Sequence, residues 1–116
     1  MKVIDLNILI YGVNEDSFYH SRAKQWMEDQ LNGTESIGIP WIVLLGFLRI
    51  MTNGKVFPIP LTEEKAIGIV DRWLEHPRVN IPSPKPDHWN LVRKLIQEAG
   101  SAGNLTSDIH LAAIAV

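Results

Sequence analysis

Three short apolar stretches constrain what this chain can fold into. Lys2 to Asp5, Ser36 to Ile39 and Val79 to Ile81 are rich in apolar or β-branched residues and bounded by turn formers, so each reads as a short strand. Segments with helical periodicity separate them. Short strands alternating with helices define an α/β protein with a parallel sheet between helical layers.

The helical segments carry their own punctuation. Phe18, Ala23, Trp26, Met27 and Leu31 recur at helical spacing, with Ser17 as the expected N-cap and Asn32-Gly33 as the stop. Between Asp5 and Phe18 the reading places a turn and a loop rich in Asn14, Glu15, Asp16 and Ser17. Pro40 suits the first turn of a helix over Trp41 to Met51, which is apolar on nearly every side and is expected to be buried. Asn53-Gly54 ends it, and Phe57-Pro58-Ile59-Pro60 forms a rigid connector. Thr62 caps the next helix, Glu63 and Glu64 suit its macrodipole, and Ala66, Ile67, Val70, Trp73 and Leu74 form its inner face. Pro77 forbids continuation. Ser83 to Asp87 leads into a helix with Leu91, Val92, Leu95, Ile96 and Ala99 inside. Gly100 and Gly103 bracket a loop before a last helix that starts at Asn104-Leu105-Thr106. Trp26, Trp41, Trp73 and Trp89 are expected in the core rather than as base-stacking platforms.

Composition removes several function classes. The 116 residues make one domain with a single modest core, and 46% hydrophobic content makes it globular. No apolar run is long enough to span a membrane. Met-Lys-Val-Ile-Asp is not a secretory signal, so a cytoplasmic location is the default expectation. Cysteine is absent, which excludes disulfides and thiolate metal sites. With 11 basic and 13 acidic residues the net charge is -2, so no nucleic-acid footprint is visible in bulk. Arg22, Lys24, Arg49 and Lys55 are the candidates for a local one, with solvated surface charge the plainer reading of Arg22 and Lys24. His20, His76, His88 and His110 have no zinc spacing.

Chemistry concentrates at the two ends of the chain. Asp5 ends the first strand and Asp108 opens the last helix, and element termini are where α/β proteins build their sites. Two carboxylates brought together commonly hold a hard divalent cation. Each also has a plain structural reading: Asp5 and Asn7 shape a turn, and Asp108 is a first-turn helix charge. His110 lies two positions beyond Asp108 and so points to another face. Arg49 is a lone charge in an apolar helix. If buried it needs a partner, either a carboxylate such as Asp5 or Asp108, or a bound phosphate. The Asn53-Gly54-Lys55 turn offers a backbone contact to a nucleic-acid strand.

Taken together, three stretches in order resemble the PIN-domain ribonucleases, and specifically the VapC toxins of bacterial toxin–antitoxin pairs. They are Val3-Ile4-Asp5-Leu6-Asn7-Ile8-Leu9-Ile10-Tyr11, Ile39-Pro40-Trp41 through Arg49-Ile50-Met51-Thr52, and Gly103-Asn104-Leu105-Thr106-Ser107-Asp108 through Ala115. His20-Ser21-Arg22-Ala23 with Trp26, and Trp73-Leu74, fall between them. The resemblance implies a three-layer α/β/α fold over residues 1–116 with a central parallel sheet. It implies Mg²⁺ or Mn²⁺ at an acidic edge, a metal-activated water that attacks an RNA phosphodiester, inhibition by a VapB antitoxin, and a homodimer. By this analogy Asp5 and Asp108 are metal ligands, Asn7 holds Asp5 or a metal-bound water, and Arg49 orients a carboxylate or contacts phosphate.

Two departures from the pattern shape the expectation. The family's Glu three residues before the Arg is Gly46 here, which leaves open whether Glu35, Asp16 or another acid takes its place. The family's last strand and Asp-rich turn have no counterpart before Val116, so the chain is expected to be C-terminally shortened, and its catalysis impaired. The alternative is a degenerate or truncated PIN module that binds an antitoxin or dimerises without catalysis. A haloacid-dehalogenase-type phosphatase fits poorly, because Asn7 stands where a general acid would be needed.

Overall fold

The middle of the sheet is β2 (Ile37–Gly38), which pairs in parallel with β1 (Lys2–Val3) on one side and β3 (Val79–Asn80) on the other. The computed structural model describes residues 1–99 and 114. Lys2 faces Ile37, and Ile37 faces Val79. The ladder extends past the formal strand ends: Ile4 N–H donates to Gly38 O at 2.9 Å and Ile39 N–H to Asn80 O at 2.9 Å. Ile37, Gly38, Ile39 and Pro40 are all buried, as a central parallel strand requires.

Two compact units make up the chain, Met1–Ile81 and Pro82–Val116. In the first, β1 reaches β2 through α1 (Leu6–Val13) and α2 (His20–Leu31), and β2 reaches β3 through α3 (Trp41–Met51) and α4 (Glu63–Glu75). The helix α1 packs against both α2 and α3, and α3 against α4. Ile4, Leu9, Ile37, Ile39, Val43, Leu44 and Phe47 are at most 2% exposed and form the core. Trp73 of α4 meets the Phe47 ring edge-on, with centroids 4.8 Å apart. In the second unit, α5 (His88–Ala99) has Leu91, Val92, Leu95 and Ile96 half-buried. The architecture is the expected α/β class, with a parallel sheet and helical crossovers.

Several local expectations hold. The helix Trp41–Met51 has the expected bounds, with Pro40 as its N-cap, and Thr62 Oγ1 accepts from Lys65 N–H at 3.2 Å at the start of α4. Others are corrected. A helix, α1, replaces the turn and loop expected after Asp5. Its residues include Asn7, Ile8, Ile10, Gly12 and Val13, weak helix formers, and burial of Leu9 against its neighbours outweighs their propensity. Ser17 does not cap α2. The helix starts later with Tyr19 as N-cap, and Ser17 Oγ instead accepts from Tyr19 N–H at 3.1 Å. Phe18 is 93% exposed, and Ile67 of α4 is 52% exposed. Nor is α3 buried all round: Trp41, Ile42, Leu45 and Arg49 face solvent. Trp41 and Trp89 lie outside the core, at 57% and 66% exposure. The final helix expected from Asn104 lies outside the described residues. No helix among the described residues is long and apolar enough to cross a membrane.

Phe47→Ala empties the contact between the α3 core and Trp73 and is expected to cost about 3–5 kcal/mol. Thr62→Ala removes one cap and is expected to cost about 1 kcal/mol. Urea denaturation of both variants checks the magnitudes and their order.

Candidate functional site

Asp5 stands where β1 ends and α1 begins. Ile4 makes the last ladder bond and is fully buried, and Asp5 follows as N-cap of α1 with extended backbone (φ -77, ψ 147). Its side chain makes no capping bond, has no hydrogen bond or ion pair among the described residues, and is exposed. The strand therefore delivers a free carboxylate to the carboxyl edge of the sheet, where open α/β sheets bind ligands.

The adjacent strand delivers a second helix start to the same edge. After Ile39, Pro40 is the N-cap of α3, and its ring supplies no side-chain acceptor. Neither α1 nor α3 has an acid in its first turn. In contrast, α4 follows a connector and carries Thr62, Glu63 and Glu64 at its start. (α2 is also uncapped, but it starts within the crossover between β1 and β2.) Two helix N-termini thus leave their first N–H groups open along the edge that holds Asp5, an arrangement that favours anions. Trp41, the first residue of α3, is exposed at this edge.

Asp108 lies outside the described residues. Asn7 is exposed in the first turn of α1, with no hydrogen bond to Asp5 among the described residues. Arg49 is exposed on the last turn of α3, about 12 Å along the axis from Trp41. It has no ion pair among the described residues, so the partner that burial would have required is not needed. Lys55 N–H donates to Asn53 Oδ1 at 2.9 Å, and Val56 and Phe57 N–H to Asn53 O, so the Asn53-Gly54-Lys55 turn largely uses its own donors.

Gly46 is buried, and a Cβ there would meet Leu6 Cδ2 at 3.0 Å. Neither acid considered as a replacement stands nearby. Glu35 lies at the opposite, amino edge of the strands, where it faces the Met1 ammonium at 3.6 Å and Lys2 Nζ at 3.9 Å. Asp16 follows the far end of α1, a helix about 12 Å long, and shares a pocket with Val13, Met51 and Phe57. Among the described residues no group of three or more His, Asp or Glu side chains could hold a metal. Asp5 alone still suits a hard cation as one ligand, because Mg²⁺ is usually held by one or two carboxylates plus waters and phosphates. His20 has a packing role: its Nδ1–H donates to Tyr11 O at 2.9 Å and ties the start of α2 to α1.

Sequence reasoning missed the open helix start beside Asp5 and the exposure of Trp41. The absence of Ser, Thr, Asp or Asn immediately before Trp41 was the available signal.

The chain belongs to the PIN domain family, whose model matches residues 2–116. It is 37% identical to ribonuclease VapC37 of Mycobacterium tuberculosis over 116 residues, which is all of this chain and 81% of that protein. Ribonuclease VapC33 of the same species gives the same identity and coverage. The VapC ribonuclease Mb2897 of Mycobacterium bovis is 34% identical, again over all of this chain and over 79% of its own length.

Asp5→Asn and Arg49→Ala change exposed side chains that have no partner among the described residues and are expected to change folding stability by no more than about 0.5 kcal/mol. Urea denaturation of the two variants beside the parent chain measures this.

Proposed function

We propose that this protein is a divalent-metal-dependent endoribonuclease, the toxin of a toxin–antitoxin pair, acting at the strand edge that carries Asp5. The observation that carries the reading is the Asp5 carboxylate, unpaired among the described residues, beside the uncapped N-termini of α1 and α3. A carboxylate and two anion-seeking helix ends are incompatible partners for a single small ligand. They suit a cation and a phosphodiester together. The relationship to VapC ribonucleases supports the same substrate and a VapB-type antitoxin as partner. Assembly as a homodimer belongs to the same proposal.

Asp5 and Asp108 would hold Mg²⁺ or Mn²⁺. When bound, such a metal supplies a nucleophilic water at neutral pH and stabilises charge that develops on the phosphoryl oxygens. The chain's own residues do the rest. The open N–H groups of α1 and α3 bind phosphate oxygens of the RNA backbone, contacts that position without reading sequence. The exposed Trp41 ring offers a stacking surface for a base next to the scissile bond. Asn7 orients Asp5 or a water, and Arg49 holds phosphate further along the strand.

Cleavage of single-stranded RNA in the presence of Mn²⁺ tests this directly. Asp5→Asn is expected to lower the rate at least about 100-fold, the scale of removing one preorganised charge-stabilising group. Chelation by EDTA should do the same, and robust cleavage by Asp5→Asn would sink the proposal. Trp41→Ala is expected to raise KM for RNA about 10-fold while kcat changes little, since stacking binds substrate and transition state alike. A fall in kcat at unchanged KM would remove Trp41 from the substrate path.

A further inference from the structure

Among the described residues no side-chain bond holds Asp5, so within the first unit its place is set by its neighbours in the chain. On one side Ile4 is fully buried and locked into the ladder by its bond to Gly38. On the other side Leu6 begins α1 and lies over Gly46 of α3. The contact is close: a Cβ at position 46 would sit 3.0 Å from Leu6 Cδ2, 3.6 Å from Cδ1 and 3.9 Å from Cγ. A Cβ at Gly46 would make the Leu6 side chain give by a few tenths of an ångström. The other glycine at an interface of α1 differs. A Cβ on Gly12 would meet its nearest neighbours, backbone atoms of Ala23 and Lys24, at an ordinary 3.9 Å.

We propose that Leu6 is a positioning residue, seated on Gly46, which fixes the Asp5 carboxylate at the strand edge for its metal. The inference rests on the reading of Asp5 as a metal ligand. Leu6 touches neither metal nor RNA; it acts through the adjacent backbone. An alanine at Gly46 pushes the Leu6 methyl groups away from α3. In this proposal the first turn of α1 gives way together with the side chain, and Asp5 moves with it.

The readout is Mn²⁺ affinity, measured on the full chain by water-proton relaxation without RNA. Gly46→Ala is expected to weaken Mn²⁺ binding about 10-fold, the lower end of the loss when a group that orients a ligand is altered. Gly12→Ala should bind as the parent does. Leu6→Val removes the atoms that collide, so Gly46→Ala with Leu6→Val should bind Mn²⁺ more tightly than Gly46→Ala alone. A purely structural contact would move the melting temperature without this rescue. Parent-like affinity in Gly46→Ala, or a double variant no better than Gly46→Ala, overturns the proposal. Should Gly46→Ala fail to fold, Leu6→Val alone carries the test: it frees Asp5 and weakens Mn²⁺ binding, and unchanged affinity overturns the idea. Asp5→Asn separates the two readings. If it leaves Mn²⁺ binding intact, the metal assignment fails and this inference with it. If it abolishes binding while Gly46→Ala does not, only the Leu6 seat fails.

Discussion

The ladder through β2 is the constraint on which the first unit depends. Ile4 N–H bonds to Gly38 and Ile39 N–H to Asn80, so the carboxyl ends of β1 and β2 stop at nearly the same level. Two helices must then start side by side, because each strand hands its chain directly to one. The core follows from that geometry: Leu9 of α1 and Val43, Leu44 and Phe47 of α3 are driven inward together with Ile4, Ile37 and Ile39. Burial of these side chains, at about 1.5–3 kcal/mol each, holds the helix starts in place. The rigidity of the edge is a by-product of the core beneath it.

What could be read from the amino acids depended on how local the cause was. The start of α4 was legible because a threonine followed by two glutamates satisfies open N–H groups within one turn, and Thr62 does so. The span of α3 was legible because Pro40 and Asn53-Gly54 bracket it. The helix α1 was not. Asn, Ile, Tyr, Gly and Val are poor helix formers, and eight residues are too few for propensity to accumulate. The causes of α1 lie in α2 and α3, which a local reading does not contain. Periodicity failed in a different way for Phe18, Ile67 and the outer face of α3. It says which residues share a face, not whether anything covers that face.

The candidate site shows the same division. The position of Asp5 was legible, since a carboxylate at the end of a first strand lands at the ligand-binding edge of any parallel sheet. Its surroundings were not. The helix around Arg49 was expected to be buried, which would have required a partner for the charge, yet its apolar neighbours Trp41 and Leu45 are themselves exposed along that side of α3. Glu35 could be placed only once strand direction was known. Direction puts it at the amino edge, with the chain's own ammonium group and Lys2.

A glycine where the family pattern has a glutamate looks at first like a simple loss of a ligand. The packing gives it another meaning. A side chain at position 46 competes with the close seat of Leu6, because a Cβ there already reaches Leu6 Cδ2 at 3.0 Å. An edge held by fewer carboxylates carries less negative charge. On the proposed reading it would repel an RNA phosphate less and would rely more on that phosphate to complete the shell of a cation. In such a site metal and substrate would bind as a pair. The fixed geometry that extra carboxylates would have provided would then fall to the backbone on either side of Asp5, to Ile4 in the ladder and, on our proposal, to Leu6 against α3.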